Sequence, residues 1–375
     1  MYFGFIGLGA AGGNIADEAA KNGYDAIAIN YSKSDLDSLT YINHEMRHYC
    51  VGSEGVGKER ETARELLKNN YESVIDFVKK HLSKSSVEVI IVTFSTGGGS
   101  GSGLSMVLLQ MLAQQMPEKV FVAAPILPSK NEVLINQINT LSLLDELSDI
   151  NVCTIPIDNE TVIKRNGFVS KNKLFQITNT KFIAQLRELE QYTEKSSKNG
   201  ILDKKDLKQL FSIKGIMTIA KAKVLNISGT TLSVEHFSNE IQKSWNESIY
   251  TPIENNRILR AGIIFNGNER FLEYINYGKI FSVFGNKSPV DLFEANYTDN
   301  AGEVISILSG LEWINTRIQE IDELVEQQKN NLSMIDTVEY KSKNTSKDDI
   351  FGQFAKPKST KTAVKSSQDL KQFFN

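Results

Sequence analysis

Gly97, Gly98, Gly99, Ser100, Gly101, Ser102 and Gly103 are the residues best suited to chemistry in this 375-residue chain. They stand between an apolar run, Val87 to Phe94, and a run with helical apolar spacing, Leu104 to Met116, which predicts a strand, a glycine loop and a helix. Glycines let the backbone fold tightly and turn several N–H groups inward, and the positive end of the following helix adds to them, so the loop is built to hold an anion, phosphate first. The two serines fit the same use, because a hydroxyl donates to a phosphate oxygen or reaches a bound Mg²⁺. A flexible Gly/Ser linker has the same composition but does not belong between a buried strand and an amphipathic helix.

A second cluster opens the chain. Tyr2 to Leu8 is a predicted buried strand, Gly7-Leu8-Gly9-Ala10-Ala11-Gly12-Gly13-Asn14 a tight turn, and Ile15 to Lys21 the start of a helix. Taken alone, Gly7-x-Gly9-x-x-Gly12 fits a dinucleotide fingerprint and an NAD or FAD enzyme. That fingerprint also wants an acid closing the second strand, where Ala26 to Ile29 is followed by Asn30-Tyr31-Ser32, and Asp35 and Asp37 come later. His44, His48, His81 and His236 are scattered and supply no convincing proton donor. A third stretch, Gly52-Ser53-Glu54-Gly55-Val56-Gly57-Lys58, follows the P-loop pattern until Glu59 replaces the Mg²⁺-binding hydroxyl. It is expected to lead into a helix, Glu59 to His81, and to line a nucleotide pocket without being a Walker motif.

Together the first loop, the Gly97 to Gly103 loop closing the fourth strand, and Thr154-Ile155-Pro156-Ile157-Asp158-Asn159 closing a later one resemble the tubulin/FtsZ superfamily of GTPases over most of residues 1 to 225. Phe175 four residues before Asn179, Pro128 before Glu132, and Gly200-Ile201-Leu202-Asp203-Lys204-Lys205-Asp206 keep that family's spacings. The resemblance implies GTP or GDP with Mg²⁺, held by Gly9, Ala10, Ala11, Gly12, Asn14, Asn30, Gly52, Ser53, Gly97, Gly98, Gly99, Ser100, Gly101 and Ser102. It further implies Glu132 on the ribose, Phe175 stacked on guanine, Asn179 on the base edge, and Asp203 and Asp206 as catalytic acids; no metal ligand is assigned. Departures from the bacterial division protein are Ala10 and Ala11 for glycines, Ser100 and Ser102 for threonines, Ile201 for an Asn, and Asn136 for the basic residue four positions after the ribose Glu. Among the branches the resemblance is greatest to TubZ-type plasmid or phage partition proteins. A structural filament of the same superfamily, not used for partition, and an NAD-dependent oxidoreductase are the alternatives.

The elements that must position these residues are those of an α/β protein. Strands alternate with helices from residue 2 to about 157, as a parallel sheet with covering helices requires. A long helix is predicted from Leu174 to about Lys198; at about 24 residues it is roughly 36 Å long, which separates Asp203 and Asp206 from the glycine loops of their own subunit. Each acid has a plainer use as well, since Asp before Leu207 is an ordinary helix cap. Head-to-tail stacking brings the acids to the next subunit's nucleotide, so assembly and hydrolysis become one cycle. The expected organisation is a GTP-binding domain over 1–173, the central helix and acidic loop over 174–206, and a smaller α+β domain over 207–302. A C-terminal helix over 303–340 and a flexible basic tail over 341–375 follow. Within the smaller domain Gly215 to Ile227, a helix near Val234 to Trp245, Ile258 to Phe265, a short helix near Arg270, and Lys279 to Phe284 are its strands and helices. The C-terminal helix is drawn from Val304, Ile307, Leu308, Leu311, Ile314, Ile318, Ile321, Leu324 and Val325.

Composition agrees. Hydrophobic residues make up 41% of the chain and the net charge is −3, enough to bury a core and without global attraction to nucleic acid. Cys50 and Cys153 fall in or beside apolar runs and are expected reduced, in the cytoplasm. No apolar run approaches the roughly 18 residues that span a bilayer, and neither a signal peptide nor a membrane partner is expected. From Lys341 onward eight lysines face three aspartates, with Phe351, Phe354, Phe373 and Phe374 as docking side chains. Such a tail is suited to a DNA-bound adaptor, and through it to centromere-like DNA, as the TubZ resemblance implies.

Overall fold

Near-continuous apolar runs become strands buried on both faces, which is the parallel-sheet solution to covering them. The computed structural model describes residues 2–167, 170–224, 233–285, 288–299 and 302–333. Its strands are β1 (Phe3–Leu8), β2 (Asp25–Asn30), β3 (Arg47–Tyr49), β4 (Val89–Ser95), β5 (Val120–Leu127), β6 (Cys153–Thr154), β7 (Ile157–Asp158), β8 (Gly215–Lys223), β9 (Arg260–Asn266), β10 (Asp291–Tyr297) and β11 (Glu303–Leu311). The helices are α1 (Gly9–Lys21), α2 (Lys33–Asp37), α3 (Arg60–Leu67), α4 (Tyr71–Leu82), α5 (Ser100–Gln115), α6 (Leu134–Asp149), α7 (Asn159–Asn166), α8 (Lys171–Tyr192), α9 (Lys204–Phe211), α10 (Val234–Trp245), α11 (Tyr277–Ile280) and α12 (Asn315–Ser333).

One sheet runs β10-β9-β11-β8-β6-β5-β4-β1-β2-β3, with β7 added to β5. From β3 to β8 the pairing is parallel; β11 is antiparallel to both β8 and β9, and β10 returns parallel to β9. Among the described residues the two halves are joined by strand pairing of Cys153 with Gly215 and Thr154 with Ile216, and by a single antiparallel bridge between Ile157 and Tyr250. Side-chain packing adds to this: Phe182, Ile183, Leu186 and Leu189 of α8 pack in one core with Phe3 and Phe5 of β1 and Ile219, Ile264 and Ile307 of the other half. Residues Met1–Lys329 form one compact unit; Asn330–Asn375 form a second, of which only the end of α12 is described.

Several elements differ from the sequence expectations. Glu303–Leu311 is a strand and not the beginning of a helix: Val304, Ile307, Leu308 and Leu311 do recur at helical spacing, but Ile305, Ser306 and Ser309 between them are equally buried. A strand inside a sheet covered on both faces has no polar side, so its apolar residues fit either period. The helix expected over 59–81 is broken into α3 and α4, where Asn70 turns its side-chain amide onto the carbonyls of Val51 and Leu66. α1 and α5 begin at Gly9 and Ser100, so most of both glycine clusters lies in the first turns of the helices. The run Lys279 to Phe284 is helical turns, and the short edge strands β3 and β10 carry too weak an alternation to be read in advance. The expected basic tail, with Phe351, Phe354, Phe373 and Phe374, lies outside the described residues, as does the stretch from 334 to 340. No helix among the described residues is long and apolar enough to cross a membrane.

Candidate functional site

The carboxyl ends of β1, β2, β4 and β5 lie side by side; β1 runs straight into α1 and the other three open into loops. At the first, α1 presses on β4: a Cβ on Gly12 would stand 2.8 Å from the carbonyl carbon of Thr93 and closer still to its oxygen. Thr93 completes the contact by donating its hydroxyl to the Gly12 carbonyl at 2.9 Å. The free N–H groups of α1 and α5 are thereby carried to neighbouring strand ends, an arrangement with the polarity that suits an anion. Ala10 and Asn14 are exposed on it, while Gly9 and Gly12 are buried.

The third loop packs onto the second. A Cβ on Gly99 would come within 2.6 Å of Val56 Cγ2 and 2.9 Å of Lys58 Cα. Lys58 is the one described residue other than glycine with a left-handed backbone, φ 71°. Asn139 of α6 holds the arrangement, donating to the carbonyls of Lys58 at 3.0 Å and Gly97 at 3.2 Å. Of this loop the sequence singled out Gly52 and Ser53, but Gly52 lies against Leu66 and Ser53 bonds the Gly55 carbonyl. The segment that touches the phosphate-type loop is Val56 to Lys58. Asn139→Ala is expected to leave two carbonyls without their donor, lowering stability by about 1–3 kcal/mol and weakening nucleotide binding, as denaturation and nucleotide titration will measure.

Glu132 lies in the loop after β5, accepting from the Ser129 amide at 3.2 Å and from Asn136 Nδ2 at 2.7 Å. Asn136 thus orients the acid and brings no charge to the pocket. Its Oδ1, and Ser102 Oγ, are buried with no partner among the described residues. Unmet polar groups beside a backbone cradle fit a phosphate chain and its cation. Asn30 is buried at the end of β2 and donates to Asp35 Oδ2 at 3.0 Å.

Phe175 and Asn179 occupy the first turns of α8, both half-buried. Farther along α8, Arg187 bonds Asn22 just past the end of α1, and Glu190 accepts the Tyr2 amide at the start of β1. The twelve residues from Arg187 back to Phe175 span about 18 Å, close to the length of α1. Asp203 and Asp206 lie at the opposite end. They form the capping box of α9, Asp203 accepting from the amides of Lys205 and Asp206, and Asp206 from the amide of Asp203. Tyr2 donates to the Lys204 carbonyl and Lys208 pairs with Glu88, which fixes α9 at the amino ends of β1 and β4. Burial, with the charges of Asp203 and Asp291 beside it, holds the Asp206 carboxyl above the usual range, though its bond from the Asp203 amide opposes this. A cleft of about 710 Å³ between Lys119, Phe121, Asn151 and Ser212 also lies at the amino ends, away from the glycine loops.

Residues 4–167 match the GTPase domain of the tubulin/FtsZ family. The chain carries a tubulin-like GTPase domain. Tubulin-like protein CetZ of Pyrococcus abyssi is 27% identical over 320 residues, 82% of this chain and 84% of that protein. Tubulin-like protein TubZ of Clostridium botulinum C phage is 25% identical over 331 residues, 86% and 82% of the two chains. A GTPγS-form protofilament of Bacillus thuringiensis serovar israelensis TubZ superposes with a TM-score of 0.74 at 19% identity, covering 89% of this chain and 93% of that one. The GTPase fold is thus common to relatives of both kinds. What the tubulin-like motifs did not reveal is the contact of Val56 and Lys58 with Gly99, the bridge made by Asn139, and a buried ion pair behind the Glu132 loop. Gly99, Val56 and Lys58 stood in stretches that the sequence marked, as did Asp158 of the ion pair, but their contacts had no sequence signal, and Asn139 had none at all.

Proposed function

We propose that this tubulin-like GTPase assembles head to tail into filaments, hydrolyses GTP between subunits, and segregates plasmid or phage DNA in the cytoplasm. One observation carries the reading: glycine loops at the carboxyl ends of the strands, and two carboxylates at the amino ends, on the same chain. Stacking one copy on another supplies the acids to the neighbour's bound nucleotide. A carboxylate of the upper subunit orients the attacking water and takes its proton, as the new P–O bond forms and the bond to the β–γ bridging oxygen breaks. Because the contact joins unlike faces it propagates as an open filament. The glycine-loop amides with Ser100 and Ser102 receive the phosphates, Glu132 the ribose, and Phe175 with Asn179 the guanine. Mg²⁺, bound with the nucleotide, screens phosphate charge.

The basic tail from Lys341, outside the described residues, would dock a DNA-bound adaptor and so reach centromere-like DNA. Similarity to CetZ over 84% of that protein's length favours a second reading, a tubulin-like filament that is not used for partition. The test is light scattering of the full chain with Mg²⁺ and GTP, GDP, ATP or NAD⁺, with phosphate release followed in parallel. Scattering is expected with GTP alone, and phosphate release is expected to rise more steeply than protein concentration. Turnover strictly proportional to protein concentration, without polymer, would overturn hydrolysis between subunits.

A further inference from the structure

The loop between β5 and α6 that presents Glu132 is gripped from behind by the C-terminal helix. Arg317, on the first turn of α12, has a side chain only 5% exposed and pairs with Asp158, 1% exposed: Nε lies 3.2 Å from Oδ2 and Nη2 3.4 Å from Oδ1. Nη2 also donates to the Pro128 carbonyl at 2.9 Å. Asp158 in turn caps α7, accepting from the Glu160 amide at 3.1 Å and the Thr161 hydroxyl at 2.9 Å. Glu160 accepts the Lys130 amide at 2.9 Å, and Lys130 Nζ lies 3.4 Å from Glu320, one turn along α12 from Arg317. Between these two anchors the Ser129 amide bonds Glu132 itself, and Gln137 holds the Ser129 carbonyl.

The Pro128 carbonyl, both Ser129 backbone groups and the Lys130 amide are therefore committed, which restrains the chain leading to Glu132. A guanidinium is suited to this place, because its planar fork serves a carboxylate and a carbonyl together, which an ammonium cannot do with the same geometry. Among the described residues the side-chain hydrogen bonds of the pair to other residues go to Pro128, Glu160, Thr161 and Glu320 and to neither glycine loop. The pair's effect reaches the pocket through the loop.

We propose that Arg317 is a positioning residue for recognition of the nucleotide's sugar: by joining Asp158 to the Pro128 carbonyl it holds Glu132 where the ribose hydroxyls are read. The proposal rests on Glu132 being the ribose group. It makes the seating of α12 a determinant of sugar selectivity, separately from base recognition at the start of α8.

The test compares affinities for GTP, 2′,3′-dideoxy-GTP and ITP in the full chain, for wild type, Glu132→Gln, Arg317→Met, Arg317→Lys and the double variant Asp158→Asn/Arg317→Met. The double variant removes both charges together and so keeps the test available if the single one does not fold, since an unpaired buried carboxylate is the costly state. Wild type is expected to prefer GTP over dideoxy-GTP by about tenfold or more, the size of one or two charge-assisted hydrogen bonds. Glu132→Gln and both Met variants are expected to lower that ratio at least fivefold with the GTP-to-ITP ratio unchanged, and Arg317→Lys to recover part of it. A collapsed sugar ratio in Glu132→Gln with a wild-type ratio in the Met variants overturns the role of Arg317 alone. An unchanged ratio in Glu132→Gln overturns the ribose reading and the proposal with it. Equal losses for all three nucleotides in the Met variants would mark the pair as a general brace and overturn the proposal.

Discussion

Asp206→Asn is expected to cut GTP turnover in assembled protein by at least about 100-fold, the usual contribution of a positioned acid or base, with nucleotide binding and polymer formation retained. The substitution is chosen for the local geometry. Asn keeps an oxygen to accept the Asp203 amide, so the capping box of α9 survives and thermal stability should stay near wild type. What it loses is the ability to take a proton. Phosphate release per polymer mass measures the effect, and wild-type turnover in the variant filaments would remove Asp206 from the catalytic assignment.

Two further outcomes belong to the same residue. Because burial raises the Asp206 carboxyl and only its ionised form accepts a proton, wild-type turnover should fall on the acid side at a higher pH than an ordinary Asp would give. Random copolymers with Asn179→Ala should recover activity, since an intact acid from the binding-deficient subunit then meets GTP held by the other. In a 1:1 mixture roughly a quarter of the contacts have that arrangement. No recovery in well-mixed filaments would argue against catalysis across the interface.

Gly12→Ala and Gly13→Ala should have opposite signs although they are neighbours in α1. At Gly12 the new methyl meets the backbone of Thr93, which cannot rotate away, so α1 must withdraw from β4 by about an ångström. Overpacking of this kind costs about 1–3 kcal/mol, and a misplaced cradle loses binding as well. A loss of about tenfold or more in GTP affinity is expected, with a lower denaturation midpoint. At Gly13 the methyl finds only Leu39 at 3.7 Å, an ordinary contact, and the helix gains about 0.5–1 kcal/mol from the better residue. Urea titrations of the two variants with and without GTP decide both.

The glycine clusters, the strand–loop–helix units and the family were legible in the residues themselves. Close backbone approach and inward N–H groups demand particular residue types at fixed short spacing, and the place of Gly97 to Gly103 between a buried strand and a helix sets it apart from a linker of the same composition. Glu303–Leu311 was not legible, because burial on both faces erases the period that separates strand from helix. The break at Asn70 depends on two carbonyls that the asparagine finds only when the chain has folded back.

Local chemistry, set by neighbours in the chain, was therefore a property of the sequence alone: which runs are glycine-rich turns and which must be buried. The α9 cap was displaced by one turn, since Asp203 and not the Asp before Leu207 takes the cap and Asp206 closes the box. Tertiary structure decided which loops meet. Gly99 needs to be glycine because Val56 and Lys58 arrive against it, and Arg317 finds Asp158 across 159 positions of chain. Such contacts leave no short-range pattern. Their residues are specified by the shape and charge of a surface that exists only after the sheet and its helices have packed.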